Sequence, residues 1–130
     1  MNHSVSDFII RIKNSAMAKR REVILPFSNI NKEIGKVLVK EGFLENIKEE
    51  NEKGKKSLRA TIKYERRLPV LTNLEIISKP SLRVYEPKHK LANIQRKGKK
   101  IIIITTSQGV MTGFDAQKKG IGGEILFTIW

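Results

Sequence analysis

Ile101-Ile102-Ile103-Ile104-Thr105-Thr106-Ser107-Gln108-Gly109-Val110-Met111-Thr112-Gly113-Phe114-Asp115, running on to Gly120-Ile121-Gly122-Gly123-Glu124-Ile125, decides how this chain folds. Residues 101–106 are β-branched throughout, and such a run suits a strand covered on both faces. Thr112 with Asp115 three residues on is the pattern that satisfies the free amides at a helix start, and Gly120 supplies the stop. Ile125, Phe127 and Ile129 then alternate against Glu124, Leu126 and Thr128, which is the period of a strand. A covered strand, a short helix and a final strand predict an α+β unit made mainly of strands.

Working towards the N-terminus, short strands are expected at 74–78 and 82–85, the second closed by Pro87, with Leu91 and Ile94 in a helical turn. Further back, Val5, Phe8, Ile9, Ile12, Ala16 and Met17 recur at helical spacing, and Ser4 with Asp7 marks a start, so a helix is predicted over 6–19. A strand follows over 22–25, ended by Pro26. Ser28 or Asn29 then caps a second helix carrying Ile30, Ile34, Val37 and Leu38, which Gly42 stops. A strand from Phe43 to about Lys48, a polar turn ending at Lys53-Gly54, and the alternation Leu58, Ala60, Ile62, Tyr64 read as a hairpin with one buried face. A joint at 66–69 divides the chain into two small α+β units packed against each other. The first, 1–69, reads helix-strand-helix-strand-strand; the second is 70–130.

The 130 residues carry 26 Lys and Arg against 13 Asp and Glu, a net charge of +13, which points to an acidic macromolecule as partner. The excess is spread over both halves, with 16 basic and 9 acidic side chains in residues 1–70 and 10 and 4 in residues 71–130. It is densest at residues 81–100, with seven basic residues and one acid. No cysteine is present, which removes disulfides, thiolate metal sites and cysteine nucleophiles. The longest aliphatic run is 101–104, far short of the ~20 residues a bilayer needs, and Met1-Asn2-His3-Ser4 opens no signal region, so neither membrane nor secretion is expected.

His3 and His89 are far apart in sequence and lack the company a metal site or nucleophile base requires, so no cofactor or metal is expected and the histidines read as solvated or phosphate-facing. Gly120-Ile121-Gly122-Gly123 follow a helix and precede a strand, the reverse of a phosphate-cradling loop. They read as a cap plus a close approach of another backbone. Thr105-Thr106-Ser107-Gln108-Gly109-Val110-Met111-Thr112 reads as a loop, either presenting hydroxyls to sugars and bases or merely connecting strand to helix. Tyr85, beside Arg83 and Lys88, either stacks on an exposed base or lies at a core edge. Glu124 either accepts from a base amine or 2′-hydroxyl, or pairs with a lysine.

The stretches Asp7-Phe8-Ile9-Ile10-Arg11-Ile12-Lys13-Asn14, Lys40-Glu41-Gly42-Phe43-Leu44, Ser78-Lys79-Pro80-Ser81-Leu82-Arg83-Val84-Tyr85, Ser107-Gln108-Gly109-Val110-Met111-Thr112 and Gly120-Ile121-Gly122-Gly123-Glu124-Ile125 run from end to end of the chain. Together they resemble the successive signatures of the eighth protein of the small ribosomal subunit, in its bacterial or organellar form. The resemblance implies a non-enzymatic protein of the ribosome, in bacterial cytoplasm or an organelle. Its expected partners are the central domain of small-subunit rRNA, neighbouring small-subunit proteins and, as in some members, its own mRNA. By motif position it places RNA contacts on Tyr85, Thr105, Thr106, Ser107, Gln108, Gly109, Thr112, Gly122, Gly123 and Glu124, and a second set on Lys13, Asn14, Ser28, Asn29 and Lys32; Arg83 and Lys88, the basic residues beside Tyr85, join the candidate contacts. Departures from the family pattern include Ser81 for a usual glycine, Arg96-Lys97-Gly98-Lys99-Lys100 for a glycine-rich approach, and Gly113-Phe114 for an acidic and basic pair. The competing readings are an RNA-processing enzyme using Ser107 and His89, and a nonspecific nucleic-acid compactor.

Overall fold

The computed structural model describes residues 3–78, 85–86 and 100–130. Arg83, Lys88, His89 and the helical turn expected at Leu91 and Ile94 lie outside the described residues. The chain forms two compact units, His3–Thr72 and Asn73–Trp130. Both are α+β with antiparallel sheets.

In the first unit, α1 (His3–Met17) and α2 (Asn29–Lys40) lie against a sheet of β1 (Glu22–Pro26), β3 (Lys55–Ile62) and β2 (Leu44–Glu52), in that spatial order. The helical stripe Val5, Phe8, Ile9, Ile12 and Ala16 is buried, as are Ile34 and Leu38 of α2 and Leu58, Ala60 and Ile62 of β3. Ser28 caps α2 by accepting from the Asn31 amide at 3.1 Å. The buried Asn31 donates its side-chain amide to the Pro26 carbonyl at 3.2 Å, which fastens the end of β1 to the helix start. At the other end the Phe43 amide reaches back to the Leu38 carbonyl and Gly42 to Val39, the paired bonds of a glycine-closed helix.

Several boundaries differ from the sequence reading. α1 begins at His3, so Ser4 lies inside the helix, and Asp7 pairs with Arg11 one turn on at 3.2 Å. β2 runs to Glu52, because its charged second half finds partners: Glu49 meets Lys32 and Lys56, and Glu50 meets Arg59. The Lys32 ammonium, at 2.9 Å, holds the Glu49 carboxyl below the usual carboxylate range. The alternation through Tyr64 is broken after Ile62: β4 (Tyr64–Glu65) turns at Arg66-Arg67 into β5 (Leu68–Pro69), a hairpin where a plain joint was expected.

The second unit is a five-stranded sheet built on β10 (Gly123–Ile129). β10 pairs with β8 (Ile101–Thr106) on one edge, and on the other with β6 (Leu74–Ile76) and β7 (Tyr85–Glu86) at its two ends. β9 (Gly109–Thr112) pairs with β8. The helix α3 (Gly113–Lys119) packs Ala116 on Ile102, Ile104, Met111 and Ile125. Thr112 accepts from the Asp115 amide at 3.2 Å, and Gly120 closes the helix at φ 69°, as its residues predict. The alternation expected in the final strand is interrupted by a bulge between Ile125 and Phe127, and Glu124 through Ile129 are all buried.

Candidate nucleic-acid interface

The expected loop 105–112 is a β-hairpin. Thr106 stands opposite Gly109, and only Ser107 and Gln108 form the turn. The Thr106 hydroxyl accepts from the Gln108 amide at 3.1 Å and donates to the Gly109 carbonyl at 2.9 Å, so this side chain holds the turn. Ser107 and Gln108 are exposed at the tip. Thr112 is 2% exposed and its hydroxyl serves the helix cap.

Strand register then assembles residues far apart in sequence. Glu124 stands opposite Thr105 across β8 and opposite Tyr85 across β7. Directly opposed residues of antiparallel strands share a face, so Tyr85, Glu124, Thr105 and Val110 form one transverse row. Side chains alternate along β8, which puts this row on the face away from Ile102 and Ile104 and hence away from α3. The Tyr85 ring is 64% exposed, Thr105 is half-buried, and Glu124 is 6% exposed. This sets an exposed tyrosine beside a buried glutamate. Gly123 explains the closeness: a Cβ there would collide with the Thr105 carbonyl oxygen and lie 3.0 Å from its carbon and 3.2 Å from the Thr106 Cα. Gly122 leads into the strand, half-buried.

The second set of expected contacts sits in the first unit. Asn14 is exposed on α1 and, with Arg11 and Arg20, lines a shallow cleft of about 550 Å3. Lys13 is half-buried on the same helix. Ser28, Asn29 and Lys32 share the start of α2, with Asn29 exposed; the Ser28 oxygen holds the cap and Lys32 is paired with Glu49. Phe114, noted in the sequence only as a departure from the family pattern, is 52% exposed in the first turn of α3, where an amphipathic helix carries a polar residue. Among the described residues no group of three His, Asp or Glu is placed to hold a metal, and no helix is long and apolar enough to cross a membrane.

A family model described as ribosomal protein S8 matches residues 3–130. The chain belongs to the ribosomal protein S8 family. Its relatives include the small ribosomal subunit protein uS8c of Physcomitrium patens, 41% identical over 131 residues, covering 99% of this chain and 98% of the relative. The uS8 proteins of Ruminiclostridium cellulolyticum and Trichormus variabilis are 38% and 37% identical, covering 98% and 99% of this chain and 96% and 98% of their own. Membership of the S8 family makes this a structural constituent of the small ribosomal subunit and not an enzyme. The α+β fold with its short C-terminal helix is that of the family.

Proposed function

We propose that the protein binds the central domain of small-subunit rRNA directly and helps the subunit assemble, with 70–130 as its principal RNA-binding unit. The observation that carries this is the transverse row of Tyr85, Glu124 and Thr105 beside the exposed Ser107-Gln108 tip. Grooves of A-form RNA offer 2′-hydroxyls and base edges only on a wide, shallow side, and single bases are read by stacking on aromatic rings. An exposed ring, a carboxylate that only accepts and short hydroxyls suit an irregular helix with an unstacked base. The charge of +13 supplies attraction and counterion release without sequence preference. Affinity therefore comes from the cations and selectivity from the row. The same surface serves its own mRNA wherever the leader imitates the ribosomal site, and neighbouring small-subunit proteins complete the surroundings.

The test is a titration against a central-domain fragment and a scrambled duplex of equal length across a range of salt, with the mRNA leader as a third arm. A preference of about 100-fold for the fragment, with both affinities falling as salt rises, is expected. Ser107→Ala and Glu124→Ala lower that ratio, while Lys99→Ala weakens both RNAs alike. Equal binding of both RNAs at every salt overturns the assignment and leaves charge alone as the cause.

A further inference from the structure

The β4–β5 hairpin carries arginine at both central positions of its two-residue turn, and both have positive φ, 50° at Arg66 and 68° at Arg67. Such a turn crowds a Cβ, which is why Asn, Asp and Gly fill it elsewhere. The comparable turn of the same unit, Lys53-Gly54, keeps glycine at its second position, with φ of 52° and 80°. Two arginines here act against the local backbone preference.

Both are exposed, and neither has an ion pair among the described residues, whereas Arg11 is held by Asp7 and Arg59 by Glu50 and Glu22. The hairpin root is fixed. The Tyr64 hydroxyl donates to the Arg20 carbonyl at 2.6 Å, the Ile62 amide to the Arg21 carbonyl at 2.8 Å, and the Val70 amide to the Lys63 carbonyl at 3.1 Å. Those bonds draw the exposed Lys19-Arg20-Arg21 segment, more than 40 positions earlier in sequence, to the base of the hairpin. Burial pushes the Tyr64 phenol up, which keeps this donor protonated.

We propose that this basic arm, Arg66 and Arg67 at the tip with Lys19 to Arg21 at the root, is a second nucleic-acid site that grips RNA phosphates without reading sequence. It rests on the protein being an RNA binder, and it is separate from the Tyr85–Glu124–Thr105 row. Guanidinium forks match phosphate oxygens in pairs, and a rigid tip loses little freedom on docking. Because a guanidinium fork can also pair with a guanine edge, an equal loss on any RNA is the result that marks a phosphate grip.

The experiment compares the full-length chain with R66N/R67G, which removes both charges and suits the turn, and R66K/R67K, which keeps them. Salt titrations against the central-domain fragment and the scrambled duplex are expected to show R66N/R67G losing about 1.5 from the slope of log K against log salt, equally on both RNAs. R66K/R67K keeps the wild-type slope. R66N/R67G melts at or above the wild-type temperature, so lost binding is not lost folding. An unchanged slope with wild-type affinity overturns the arm and leaves an acidic protein face as its partner. A loss confined to the fragment overturns it as well, because that is base readout. Failure of the wild type to prefer the fragment strikes the rRNA assignment and leaves the slope comparison intact.

Discussion

Gly120 and Gly123 lie three residues apart and are glycines for different reasons, which makes them a sharp test of how the row is held. At Gly120 the backbone is left-handed, φ 69°, with open space where a Cβ would go. At Gly123 the obstacle is the Thr105 carbonyl and the Thr106 Cα of the neighbouring strand. Gly120→Ala places a Cβ in a disfavoured conformation and costs about 1 kcal/mol, most of which Gly120→Asn avoids because asparagine tolerates that region. Gly123→Ala forces β10 away from β8 where Glu124 faces Thr105; overpacking of this kind costs about 1–3 kcal/mol. For a unit of some 60 residues, a central value near ~2 kcal/mol lowers the melting temperature by roughly 8–16 °C. Asparagine at 123 is no better, since the clash is with Cβ itself. Thermal melting of the four variants gives the order, and amide exchange at Thr105 and Glu124 locates the damage. Equal melting of Gly123→Ala and wild type, with unchanged exchange at those amides, would refute the close-approach argument.

Two further outcomes follow from side chains that are already engaged. Thr112→Ala removes the oxygen that accepts from Asp115 and lowers stability by about 1 kcal/mol, while Thr112→Ser restores most of it; denaturant unfolding checks both. Glu49, held low by Lys32, adds stability at pH values above the ordinary carboxylate range, and that contribution fades as acid protonates it. Glu49→Gln should therefore narrow the stability difference between neutral and mildly acidic pH, read from melting curves across that interval.

Much of the architecture was legible because its causes are local. The Ser28 and Thr112 caps, the Gly42 and Gly120 stops, the β-branched run at 101–106 and the apolar stripe of α1 all reappear in the folded chain. What misled was local too, but outvoted by partners distant in sequence. Glu49 to Glu52 look like a turn until β3 lies beside them with Lys56 and Arg59 to meet Glu49 and Glu50. Gly109 to Thr112 look like a loop until they pair with β8, and Asp7 looks like part of a cap until Arg11 takes its carboxylate. At the candidate site, motif position supplied the residues and register supplied their arrangement. That Tyr85 flanks Glu124 opposite Thr105 depends on pairing between segments about 20 and 40 positions apart, which no window of sequence contains.

The place of β10 in its sheet has a consequence for the order in which the molecule is made. Synthesis delivers β6, β7 and β8 before the strand that joins them, while the first unit, His3–Thr72, has all its pairings in hand much earlier. A growing chain that has not yet released residues 123–129 thus carries a finished β4–β5 hairpin and an unassembled Tyr85–Glu124–Thr105 row. On the proposed function, contacts with RNA during that interval are governed by charge, and discrimination arrives with the last strand to pair.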